Sequence, residues 1–110
     1  MSDLEAPASG TVIDEFDVGD VHIVVRYGCT RRDQYDLRVP EPIAQHVRDA
    51  LMQRGDAKDL GTLVVIEVPG VHQITAATER GRVVILPRMT RDRSLQRDDM
   101  LVVARILAER

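Results

Sequence analysis

Little in this chain supports cross-linking or aromatic stacking. Cysteine occurs once in 110 residues, as Cys29, so no disulfide closes within the chain and no multi-cysteine zinc site exists. Tryptophan is absent and the aromatics are Phe16, Tyr27 and Tyr35 alone. That removes the usual stacking platforms of a single-strand nucleic-acid binder and leaves a core to be built from Val, Ile, Leu and Ala. No stretch approaches the ~20 consecutive apolar residues of a membrane-spanning helix. Residues 1–10 carry Asp3 and Glu5, no base and no apolar run, so they lack the features of a secretion signal. They read as a flexible N-terminal tail. A cytoplasmic location with no membrane partner is the expectation. Lysine is nearly missing too: Lys58 stands against 14 arginines, the bias of a GC-rich bacterial genome.

What is present suits one domain over residues 11–110. Apolar residues make up 44% of the chain, enough for an ordinary core at this length. Alternation predicts strands over 12–18 and 21–27, joined by a tight turn at Gly19-Asp20. In the first, Val12, Phe16 and Val18 share a face opposite Ile13, Glu15 and Asp17. A third strand is expected over 35–39. A helix is expected from Pro42 at its first position to Gly55 just past its end, with Ile43, Val47, Ala50, Leu51 and Arg54 along one stripe. Residues 55–59 read as a surface connector.

The unbroken Leu63-Val64-Val65-Ile66 predicts a strand covered on both faces or central in its sheet. After a Pro69-Gly70 turn, residues 71–78 have two readings. As a strand they form a hairpin, through Glu79-Arg80-Gly81, with a strand over 82–86. As a helix they make a βαβ crossover at residues 62–86, and the class becomes α/β. The pattern Val18-Gly19-Asp20-Val21-His22 returns 50 residues on as Val68-Pro69-Gly70-Val71-His72 and favours the hairpin. Each copy would then open a βββα unit. The expected fold is α+β: a two-layer sandwich, with a mainly antiparallel sheet of five or six strands and two helices on one face. The second helix follows Ser94 and runs to about Glu109. Its Met100-Leu101-Val102-Val103-Ala104 and Ile106-Leu107-Ala108 are apolar on more than one face.

Motifs of chemistry are missing. There is no glycine-rich phosphate loop, H-E-x-x-H, G-x-S-x-G or EF-hand spacing, and no cofactor or metal is expected. Single residues remain. Cys29 lies beside Arg31 and Arg32, which would favour its thiolate, so a small enzyme using Cys29 is one reading. His22, His72 and Asp20 match no metal-ligand spacing. His46 flanks the apolar stripe of the first helix. The carboxylates Asp14, Glu15, Asp17, Asp20 and Glu67 read as solvated.

Charge is unevenly placed. Residues 3–20 hold six acids and no base. Residues 80–97 hold six arginines, Arg80, Arg82, Arg88, Arg91, Arg93 and Arg97, against Asp92. Such a segment suits anions, so a nucleic-acid or phosphate binder is an alternative. The acidic whole, pI about 5.5, argues against it. The leading expectation is a non-enzymatic protein–protein interaction module, a small bacterial regulator or adaptor, binding a protein partner or itself as a homodimer. Its surface would be the second helix, through Leu101 and Val102, with Arg91 and Arg93 at the rim.

Overall fold

A computed structural model describes residues 10–28, 33–88 and 93–110. Residues 1–9 of the expected tail and Cys29 lie outside the described residues, as does Arg91, while Gly10 donates its N–H to the Tyr27 carbonyl at 2.6 Å. The elements run β1 (Val12–Val18), β2 (Val21–Tyr27), β3 (Asp33–Arg38), α1 (Gln45–Met52), β4 (Asp56–Asp59), β5 (Leu63–Val68), β6 (His72–Ala77), β7 (Arg82–Pro87) and α2 (Arg93–Ala108). The strands form one seven-stranded sheet, antiparallel throughout, in the order β1-β2-β3-β7-β6-β5-β4. The class is α+β, and no described helix is long and apolar enough to cross a membrane.

Alternation builds the sheet's inner face. Val21, Ile23 and Val25 of β2 point the same way as Tyr35 and Leu37 of β3, Val83 and Ile85 of β7, Ile74 and Ala76 of β6, and Val64 and Ile66 of β5, all buried. Val47 and Leu51 of α1, with Met100, Val103, Ala104 and Leu107 of α2, close the same core. Both helices therefore lie on one face of the sheet. The apolar excess read in α2 is largely taken up here, because Leu101 and Ile106 also pack against this core.

Several local expectations are corrected. Residues 72–77 form a strand, so there is no βαβ crossover; Gly81, at φ 62, closes the hairpin in the left-handed region after a 3-10 turn over 78–80. The connector at 55–59 contains β4, the seventh strand. Asp-Ala-Lys-Asp has no strand propensity of its own, and the strand exists because β5 offers it an edge. β5 is accordingly next to the sheet edge; its Val64 and Ile66 are buried while Leu63 and Val65 are half-buried. A bulge in β1 sets Val12 opposite Arg26 and Asp14 opposite Val25, so Val12 lies on the other face from Phe16 and Val18. α1 starts three residues later than Pro42 suggests, because the Ile43 N–H donates to the Thr78 carbonyl at 2.7 Å and holds that segment extended. Gly55 is no helix cap either. A Cβ there would sit 2.2 Å from the Glu67 carbonyl oxygen, so glycine is required by close approach to β5.

The two halves share an order, three-stranded meander then helix, with β4 as the addition. Their central pairings exchange about the Asp36–Val84 pair: Tyr35 faces Ile85 and Leu37 faces Val83. The turn in the second half is one residue longer, since Val18 pairs Val21 whereas Val68 pairs His72. One extra residue reverses side-chain facing. His22 therefore projects to the outer face and His72 into the core.

Candidate functional site

Among the described residues the helices leave the opposite face of the sheet uncovered, and this face holds most of the arranged polar chemistry. One cross-strand row runs through all seven strands: Glu15, Val24, Asp36, Val84, Thr75, Val65, Lys58. A neighbouring row carries Val12 and Arg26 on one side, with Leu86, Gln73, Glu67 and Asp56 on the other. Gln34 extends the first side, pairing Arg26 across β2 and β3.

Three ionic clusters sit on this face. At its centre Asp36 is 2% exposed. Arg82 binds it in bidentate fashion, Nε to Oδ1 at 3.0 Å and Nη2 to Oδ2 at 2.9 Å, and Arg38 adds a 3.4 Å contact. Burial pushes the Asp36 carboxyl up, but the two guanidiniums outweigh it and hold it below the usual carboxylate range. At the β1 edge, His22 is clasped through Nδ1 by Asp17 at 2.7 Å and through Nε2 by Glu15 at 2.6 Å. The Asp17 and Glu15 bonds raise the imidazole pKa above its ordinary value. Toward β4, Glu67 pairs with Arg88 at 2.7 Å beside a shallow depression of about 360 Å³ bounded by Asp56, Lys58, Val65 and Gln73. Most of the face's charges are thus matched internally.

The edges of the sheet are poor sites for an added strand. β1 is bulged and carries Asp14, Glu15 and Asp17; β4 is four residues long and three are charged. Both features deter edge pairing.

A further cluster lies inside. Arg54, at the end of α1, binds Asp99 of α2, and Asp99 binds Nε2 of His72 on β6. The His72 ring is fully enclosed and its Nδ1 has no protein partner. Burial, then the Arg54 charge, lowers its pKa to about 4, so the ring is neutral at pH 7. No substrate reaches an enclosed ring, and the cluster acts as a tie among two helices and a strand. Nearby, Gln96 donates through Nε2 to the carbonyls of Val71 and Arg88 at 2.8 and 2.9 Å, seating the start of α2. At its other end Arg110 binds Asp20 at 2.6 Å and Glu41 at 2.9 Å.

The residues singled out from the sequence are dispersed. Leu101 is half-buried against the core; Val102 is half-buried on α2, and Leu95 is 48% exposed. Arg82 and Arg88 belong to the sheet face and are engaged there, whereas Arg80 is in the turn before β7. Arg93 and Arg97 are on α2, and the Arg97 guanidinium stands 5.4 Å over the Phe16 ring on the helix side of the sheet. His22, His72 and Asp20 are not brought together, and among the described residues no group of three or more His, Cys, Asp or Glu is arranged to hold a metal. His46 is exposed on α1. Glu15 and Asp17 do meet, at His22. Their i, i+2 spacing in a strand was the available signal, as it was for Asp36 and Arg38. Nothing local marked Arg54 and Asp99, which are 45 residues apart. Compared with known proteins, the chain matches no family model, no curated protein and no solved structure.

Proposed function

We propose that the chain is a non-enzymatic protein-interaction module, a small regulator or adaptor, and that its working surface is the uncovered sheet face. One observation carries this reading: a row of side chains crosses seven strands with Val24, Asp36, Val84, Thr75 and Val65 between its charged ends, and no described helix covers it. Charges already paired within one chain leave no uncompensated ion when water is excluded. Arg38, Arg82 and Asp36 are such a set, and arginine is a favoured interface residue. α2 supports the same class of function less well, because most of its apolar side chains are spent on the core. A phosphate-binding role for the Arg80–Arg97 segment has less behind it, since Arg82 and Arg88 are held by Asp36 and Glu67.

Site-specific photo-crosslinking in the native cell tests the reading. A photoreactive residue at Thr75 should yield protein adducts, and one at Val102 of α2 should not. Adducts from Val102 alone would move the working surface to α2. An absence of adducts at both positions would refute the module.

A further inference from the structure

We propose that the occupant of the uncovered face is a second copy of the same chain, packed sheet to sheet about a two-fold axis parallel to the strands. The proposal rests on the interaction-module reading and adds the partner and its orientation. The argument is charge complementarity along the strand rows, together with area.

The face has equal numbers of opposite charges: Glu15, Asp17, Asp36, Asp56 and Glu67 against Arg26, Arg38, Lys58, Arg82 and Arg88. A balanced face favours neither a polyanion nor a strongly basic partner. Its order matters more. A two-fold axis along the strands, through β7, reverses the sheet order and keeps each row at its own height. β1 then lies over β4, β2 over β5 and β3 over β6. In the first row Glu15 meets Lys58 of the second copy, Val24 meets Val65, Asp36 meets Thr75, and Val84 meets itself. In the neighbouring row Arg26 meets Glu67 and Leu86 meets itself. Glu15 and Glu67 fall on bases and Val24 on Val65, while Val12 falls on Asp56. Two like-charge encounters fall on the axis, Arg82 on Arg82 and Arg88 on Arg88, and each is softened because the guanidinium is held by its own Asp36 or Glu67. The alternative axis, perpendicular to the strands along the same row, lays β1 on β1 and sets Glu15, Asp36 and Lys58 against their own copies. Repulsion disfavours it.

The area is sufficient. Seven strands spaced ~4.8 Å apart, each about 20 Å long, present roughly 600–700 Å² per copy before side-chain relief is counted. That is close to the ~800 Å² per partner of a standard stable interface. Aligned packing at about 30° is the ordinary arrangement of two twisted sheets.

Light scattering of the full chain across low to high micromolar concentration reads the outcome. The expected mass is twice 12.3 kDa. Val84→Lys should give a monomer whose circular dichroism is unchanged, while Val102→Lys on α2 should remain a dimer. If Val84→Lys fails to fold, Thr75→Glu serves the same purpose, because it sets a carboxylate against Asp36 of the second copy. Glu15→Lys and Lys58→Glu should each weaken the homodimer ~10-fold or more. Mixing the two single variants should restore a dimer, because both cross-copy pairs then carry opposite charges. A wild-type monomer at every concentration overturns the second-copy assignment; adducts to other proteins at Thr75 would still uphold the module. A dimer that survives Val84→Lys and Thr75→Glu overturns the surface. Single variants that stay monomeric when mixed overturn the axis.

Discussion

His72 offers the sharpest test of the buried chemistry. Its imidazole is fully enclosed, with Asp99 on Nε2 and the Arg54 guanidinium close by, and its pKa falls from 6.5 to about 4. A depressed histidine pKa means that the unfolded chain takes up a proton before the folded chain does, so stability falls as pH drops from 6.5 toward 4. Integrating that difference gives a loss of about 1.8 kcal/mol between pH 7 and pH 5, and about 3 kcal/mol by pH 4. His72→Gln keeps a donor for Asp99 and removes the titration. Urea unfolding of both proteins at pH 7, 6 and 5 is the assay, with carboxylate titrations common to the two. The stability gap should move in favour of the variant by about 1.8 kcal/mol from pH 7 to pH 5. Parallel loss in the two proteins would refute the reasoning, because it would mean that the ring titrates alike folded and unfolded; a gap that moves toward the wild type would mean that the Asp99 carboxylate keeps the ring protonated when folded.

Other substitutions probe the sheet and its ties. Asp36→Asn strips the carboxylate from between Arg38 and Arg82 and should cost about 1–3 kcal/mol in urea unfolding, discounted from a fully buried pair because both arginines are partly exposed; Asp36→Asn with Arg82→Leu should recover part of that loss. Gly55→Ala would drive a methyl into the Glu67 carbonyl and should lower the unfolding midpoint more than Ala50→Gly, a helix-interior change of about 1 kcal/mol. Leu107→Ala empties a sealed core position and should cost about 2–5 kcal/mol. Arg110→Ala releases Asp20 and Glu41, and hydrogen exchange should speed up in the last turn of α2 while the rest of the helix stays protected.

The sequence by itself determined the strand alternation, both helices and the single core. Val21, Ile23 and Val25, or Val83 and Ile85, can bury together only as one face of a strand, and Gly81 after Glu79-Arg80 suits only a tight closure. The repeated Val-Gly/Pro-rich turn was readable too, and it pointed to a meander where residues 71–78 alone were ambiguous. Tertiary structure decided what local signals cannot encode. β4 is a strand because β5 needs an edge partner, whatever the propensity of Asp-Ala-Lys-Asp. One additional residue in the second turn sends His72 inward and His22 outward, and no periodicity carries that count. The ties of Asp36 to Arg82 and of Arg54 to Asp99 span 46 and 45 residues; they exist because antiparallel register and helix docking fix distant backbones within side-chain reach. The same register sets Glu15 and Lys58 at opposite ends of one row, which is why the candidate surface emerged only with the assembled sheet.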